Sequence, residues 1–153
     1  MTSKYNDIYS CFLSKITDYK FVSLPADDAY ELMNGWLHSA VSKPYIRRIF
    51  SSLALDDEVA TITFEVLDAV DDNYDKEYAM EIISKGMVIE WLEPQVKSTL
   101  SVAQMFSRKE AKWYSEANHL KEIKGLLEDA KCEIRKIIRD HGYFYRNYIS
   151  NEA

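Results

Sequence analysis

Turn-forming residues are scarce in this chain, with 4 glycines and 3 prolines among 153 residues. An all-β sandwich or barrel needs many tight turns, so a largely helical architecture is expected instead. The two cysteines, Cys11 and Cys132, lie far apart with no CxxC pair and no neighbouring histidine. That pattern fits neither a disulfide framework nor a zinc site, and it suits a reducing cytosol. The three histidines, His38, His119 and His141, are isolated and form no HExxH. GxSxG, GxGxxG and GxxxxGK[ST] are also missing, and so few glycines cannot build the usual phosphate-cradling loop. The sequence therefore gives no catalytic, cofactor-binding or metal-ligating residues, and a non-enzymatic protein is expected. Asp71, Asp72, Asn73, Tyr74 and Asp75 begin like a calcium loop, but Lys76 stands where that loop needs glycine and Ile82 where it needs a bidentate glutamate. A solvated, helix-capping acidic loop is the simpler reading.

Long apolar runs are lacking too. The opening MTSKYNDIYSCFLSKI is broken by Lys4, Asp7 and Lys15, and no later window reaches the length of a membrane span. Neither membrane association nor secretion through a signal peptide is expected. Basic charge is not in excess: 19 Lys plus Arg face 25 Asp plus Glu, a formal charge of −6. A generic DNA binder gains affinity by neutralising phosphates, so this balance disfavours one.

What the chain does have is apolar periodicity, and its hydrophobic content of 47% suffices for one core. Ile8, Cys11, Phe12 and Ile16 form a helical stripe opening at Asn6 or Asp7 and running to about Thr17. Phe21, Val22 and Leu24 read as a short extended segment before Pro25. A second helix follows, with Ala29, Leu32, Met33, Trp36, Leu37, Ala40 and Val41 on its apolar face and Pro44 as its stop. Gly35 within it suggests close helix packing. Tyr45 to Leu55 is weakly patterned and reads as a helical turn or irregular segment. Between Ala60 and Val70, Ile62, Phe64 and Val66 alternate with polar residues as in a half-buried strand. Its partner is open: Phe21 to Leu24, Leu100 to Val102, the C-terminus or another subunit.

A third helix from Asn73 or Asp75 carries Ala79, Met80, Ile83, Met87, Trp91 and Leu92 inward and is expected to close at Pro94. Ser107 and Glu110 form a capping box for a fourth, and whether Ser115 to Asn118 separates it from the last stripe is open. The stripe Leu120, Ile123, Leu127, Ala130, Ile134, Ile137 and Ile138 is expected to end at Gly142 in a left-handed cap. The expected fold is mainly α, a bundle of about four to five helices with a small β element and an extended C-terminal tail. Residues 1–142 form the helical domain and 143–153 an aromatic interaction tail, because Tyr143, Phe144, Tyr145, Tyr148 and Ile149 need a surface to lie on.

Charge is segregated. Asp56 to Glu81 holds ten acidic residues against the single base Lys76, whereas Arg108 to Arg146 holds ten basic and seven acidic ones. This is either a pair of solvated faces or head-to-tail complementarity between identical subunits. In the second case Asp71, Asp72 and Asp75 would meet Lys131, Arg135 and Arg139, whose spacing places them on one helix face.

The ordered elements FLSKITDY (Phe12 to Tyr19), LHSAV (Leu37 to Val41), GMVIEWLEP (Gly86 to Pro94), FSRKEAKWYSEANHL (Phe106 to Leu120) and the terminal YFYRNY resemble the head-to-tail connector, or neck adaptor, proteins of tailed bacteriophages. The likeness spans nearly the whole chain and rests on Met-x-x-Glu-Trp-Leu, Ser-x-x-Asn-His-Leu and the order of hydrophobic anchors. It implies a virion protein, assembled in the host cytoplasm, that forms a homo-oligomeric ring, a dodecamer, on the portal protein. Such a ring docks the next neck or tail protein and lines the DNA passage during genome ejection. It also implies that Tyr143 to Ile149 reach into the portal. DNA is then only a passing genome, which an acidic balance does not oppose, because a sliding channel must not grip phosphates. The competing class is a helical regulatory or adaptor protein that binds one host or phage partner without building a ring.

Overall fold

A computed structural model describes residues 1–17, 21, 23–104 and 111–145 of the chain. Among them are five helices and three strands: β1 (Thr2–Lys4), α1 (Tyr5–Leu13), α2 (Ala26–Ser42), α3 (Pro44–Arg47), β2 (Phe50–Asp56), β3 (Thr61–Val66), α4 (Asp72–Gln104) and α5 (Ala111–Tyr145). The protein is thus mainly helical with a small sheet.

The third and fourth elements of regular apolar period build the frame. α4 and α5 have 33 and 35 residues, so each is about 50 Å long at 1.5 Å per residue. They pack against each other in antiparallel fashion, with His141 beside Tyr74 and Glu133 beside Lys85. Between Tyr78 and Leu92, α4 is buried around most of its circumference, because α1, α2 and α5 all pack on it. Ile8 and Phe12 of α1, Leu37, Ala40 and Val41 of α2, and Ile123, Leu127 and Ile134 of α5 complete one core with Ile82, Ile83 and Met87.

The sheet closes the end of this core where α4 begins. Its order is β1-β3-β2 and both pairings are antiparallel. Ile62, Phe64 and Val66 point inward as the alternation required, and all three are buried. The partners of β3 are none of the four considered above: they are the chain start, Thr2–Lys4, and the segment Phe50–Asp56. Leu100 to Val102 lies in α4, and Phe21 has helical backbone. β2 escaped recognition because a bulge at Ser51 inserts one residue between the inward positions. Phe50 and Leu53, which pair with Val66 and Phe64, therefore fall three apart and imitate a helical spacing.

Four further expectations are corrected. α1 ends at Leu13, short of Thr17. Leu32, expected on the inner face of α2, is exposed, while Met33 and Leu37 are buried. Pro94 does not close α4, which continues to Gln104. Pro94 has no N–H to give the Glu90 carbonyl, and one residue on, Gln95 Nε2 donates to the Trp91 carbonyl at 3.1 Å. Gly142 does not end α5: no glycine has positive φ, and the helix continues to Tyr145. A glycine inside a helix costs only about 1 kcal/mol, and His141 anchors this turn by stacking on Tyr78 with ring centroids 4.1 Å apart. The Ser107–Glu110 capping box lies outside the described residues.

Close helix packing occurs at Gly86, not Gly35. A Cβ on Gly35 would meet nothing within 4 Å. One on Gly86 would collide with Ile46 Cδ1 and sit 3.2 Å from Ala40 Cβ, where α2 and α3 cross α4.

Candidate interaction surface

Lys43 and Pro44 break the chain between α2 and α3, and the short helix that follows carries Arg47 in its last turn and Arg48 at its end. This corner lies over the seam between α4 and α5. The result is a cavity of about 420 Å³ whose rim holds Lys43, Arg48, Lys131 and Arg135, with Ile89 and Ile134 as a buried apolar floor. Two glutamates of α4 compensate it in part: Lys43 lies 3.2 Å from Glu90 and Lys131 lies 3.8 Å from Glu93. Arg48 and Arg135 have no ion pair among the described residues. Tyr45 also lines the cavity, and burial, reinforced by the charges of Glu90 and Glu93, pushes its phenol up to about 12. It therefore stays a neutral hydrogen-bond donor at physiological pH. The arrangement offers guanidinium and ammonium groups around an apolar patch, which suits a carboxylate-bearing protein surface.

Arg48 also borders a smaller cavity with Leu67, Asp68, Tyr78 and His141. His141 Nε2 donates to the Asp68 carbonyl at 2.9 Å, while Nδ1 is 3.4 Å from the Tyr74 hydroxyl. These contacts tie the end of α5 to the turn before α4.

A second groove, of about 360 Å³, lies on the other side of α5, toward α1, with Lys15, Lys85, Trp91, Leu126, Asp129 and Glu133 in its wall. Lys15 pairs with Glu81 at 2.6 Å, Lys85 with Glu81 at 3.5 Å, and Lys85 also with Glu133. Desolvation pushes the Glu81 carboxyl upward, but the hydrogen bond and charge of Lys15, with those of Lys85, hold it below the usual range. Lys85 is raised despite desolvation, by Glu133 first and Glu81 next.

The residues picked from charge fare unevenly. Lys131 and Arg135 meet in the basic cavity, and Arg139 lies one turn further along α5, 3.4 Å from Asp140. Asp72 is exposed at the first turn of α4. Asp71 is exposed but occupied, accepting the Tyr74 N–H at 2.9 Å as a helix cap. Asp75 cannot face a neighbouring subunit: it is 1% exposed, and its two oxygens accept the Val70 N–H at 3.1 and 3.0 Å. A carboxylate in the first turn of a helix satisfies backbone donors and the helix dipole at once, which is why this acid is buried. Tyr143 is helical and exposed, Phe144 and Tyr145 are in the last turn of α5, and Tyr148 and Ile149 lie outside the described residues. The sequence reading missed Lys43, Tyr45, Arg48, Glu90 and Glu93. The cluster KPYIRR was the available signal, but it stands in the weakly patterned stretch.

Two other polar groupings are internal ties. Asp57 Oδ1 accepts from the Tyr5 hydroxyl at 2.7 Å and lies 2.9 Å from His38 Nε2. The Tyr5 and His38 hydrogen bonds hold its carboxyl below the usual range and fasten the β2–β3 turn to α1 and α2. Cys11 Sγ is 3.2 Å from Ser84 Oγ at the α1–α4 contact. Among the described residues no three His, Cys, Asp or Glu side chains gather as a metal site, and no helix is long and apolar enough to cross a membrane. No protein-family model, curated protein or solved structure matches the chain.

Proposed function

We propose that the protein is a structural component of a tailed-phage virion, an adaptor that forms a ring between the portal and the next neck or tail protein. The sequence resemblance supplies the class. The observation that carries the assembly reading is the basic cavity around Arg48 and Arg135, an exposed site of mixed charge and apolar floor suited to a protein face. In this reading the long α4–α5 pair is the rigid body of each subunit, and the aromatic end of the chain is the portal contact. DNA passes through the ring without specific binding.

The experiment is a truncation. Because α5 runs to Tyr145 and His141 is buried against Tyr78, the cut belongs after Tyr145. The shortened protein should keep its helical circular dichroism and its unfolding temperature, yet no longer sediment with portal-bearing heads. Unimpaired sedimentation would remove the tail from the portal contact.

A further inference from the structure

The outward circumference of α5 is divided by charge. At 3.6 residues per turn, Lys121, Lys124, Lys131, Arg135 and Arg139 fall on the flank that faces α3, with Glu128 as the sole acid. Glu122, Asp129, Glu133 and Asp140 fall on a second flank, roughly 140° away, with Lys136 at its edge beside Asp129. The packing assigns these flanks independently of the wheel. Lys131 and Arg135 line the cavity with Lys43 and Arg48, whereas Asp129 and Glu133 line the groove toward α1. Leu126, at the edge of the acidic stripe, is 57% exposed and lines a groove with Glu122, Asp129 and the single base Lys121. Glu122, Asp129, Lys124 and Arg135 are all exposed and have no ion pair among the described residues.

We propose that neighbouring copies meet through these two flanks: the Glu122, Leu126 and Asp129 stripe of one copy sits on the basic cavity around Arg48 and Arg135 of the next. The occupant is a second copy of this chain because the complementary surface, acidic with an exposed leucine, is present on the same helix. Two different faces of one subunit make a heterologous contact, which propagates into a ring where a two-fold dimer would use one face twice. Leu126 supplies the apolar contact and the charges ring it, the usual division between the core and rim of an interface. This contact deepens the ring reading and rests on it. It also relocates the acidic side of the interface from Asp71, Asp72 and Asp75 to α5 itself.

The test uses two charge-reversed forms of the full chain, E122K/D129K and K124E/R135E, in sedimentation velocity and electron microscopy at low and high salt. The first form is basic on both flanks and the second acidic on both. Each alone should need at least about tenfold more protein to assemble than the unaltered chain, since several exposed pairs are reversed together. An equimolar mixture should recover assembly, because alternating copies restore every contact, and added salt should weaken it. Assembly of either form alone at the unaltered concentration, or failure of the mixture to recover, overturns the contact. If those results come with rings of the unaltered chain, the ring reading stands and this interface is wrong. If the unaltered chain forms no rings, alone or on portal-bearing heads, both fall.

Discussion

Gly35 and Gly86 both sit inside helices, yet their surroundings give them opposite substitution effects. Gly35 is exposed with open space at its Cβ position, so Gly35→Ala should stabilise by up to about 1 kcal/mol through helix propensity alone. Gly86→Ala gains the same propensity but must displace fully buried Ile46. Overpacking costs about 1–3 kcal/mol, so the net effect should be a loss of up to about 2 kcal/mol. Urea unfolding of the two variants checks the sign of each. The acids at the start of α4 separate in the same manner. Asp75→Ala leaves the Val70 N–H without its acceptor and removes a buried carboxylate from the first turn of α4, and should cost about 1–3 kcal/mol. Asp72→Ala, at an exposed position, should cost less than about 1 kcal/mol. Equal losses in thermal unfolding would contradict the roles assigned to them. Sequence could identify Asp75 as a helix-start acid but not as a buried one, because its acceptor role depends on where the turn at Val70 places its N–H.

Among the elements, those with an uninterrupted apolar period were readable from sequence: α2, the inward residues of β3, α4 and α5. The misreadings came where another force overrode a local signal. A bulge disguised β2, packing from three sides carried α4 through Pro94, and a stacked histidine carried α5 through Gly142. The basic cavity was half legible for a similar reason: Lys131 and Arg135 lie on a periodic helix, whereas Lys43 and Arg48 reach them only through the fold. The ties among α1, α4 and α5 carry a pH signature. Glu81 is held below its unfolded value of about 4.3 by Lys15 and Lys85 once desolvation is overcome. Its contribution is therefore present above that value and is lost as pH falls through the lower folded one. Lys85, raised by Glu133 and Glu81, contributes below its unfolded value of about 10.4 and loses that contribution as pH rises through the higher folded one. Glu81→Gln should lower the unfolding temperature at pH 7, and the gap to the unaltered chain should shrink below about pH 4. A gap independent of pH would mean that Glu81 acts through packing.

For the whole molecule, the α4–α5 pair forms a rod about 50 Å long, with the sheet at one end and oppositely charged flanks along α5. Among the described residues one core gathers within the chain, and the charged flanks of α5 lie exposed outside it. In the proposed ring, such a protein would fold first and associate second. Electron microscopy of the purified protein, alone and on portal-bearing heads, addresses the central claim most directly. Closed rings of uniform diameter, twelve-fold on the portal, are the expected image. Single subunits at every concentration, on the grid and at the portal alike, would contradict the account.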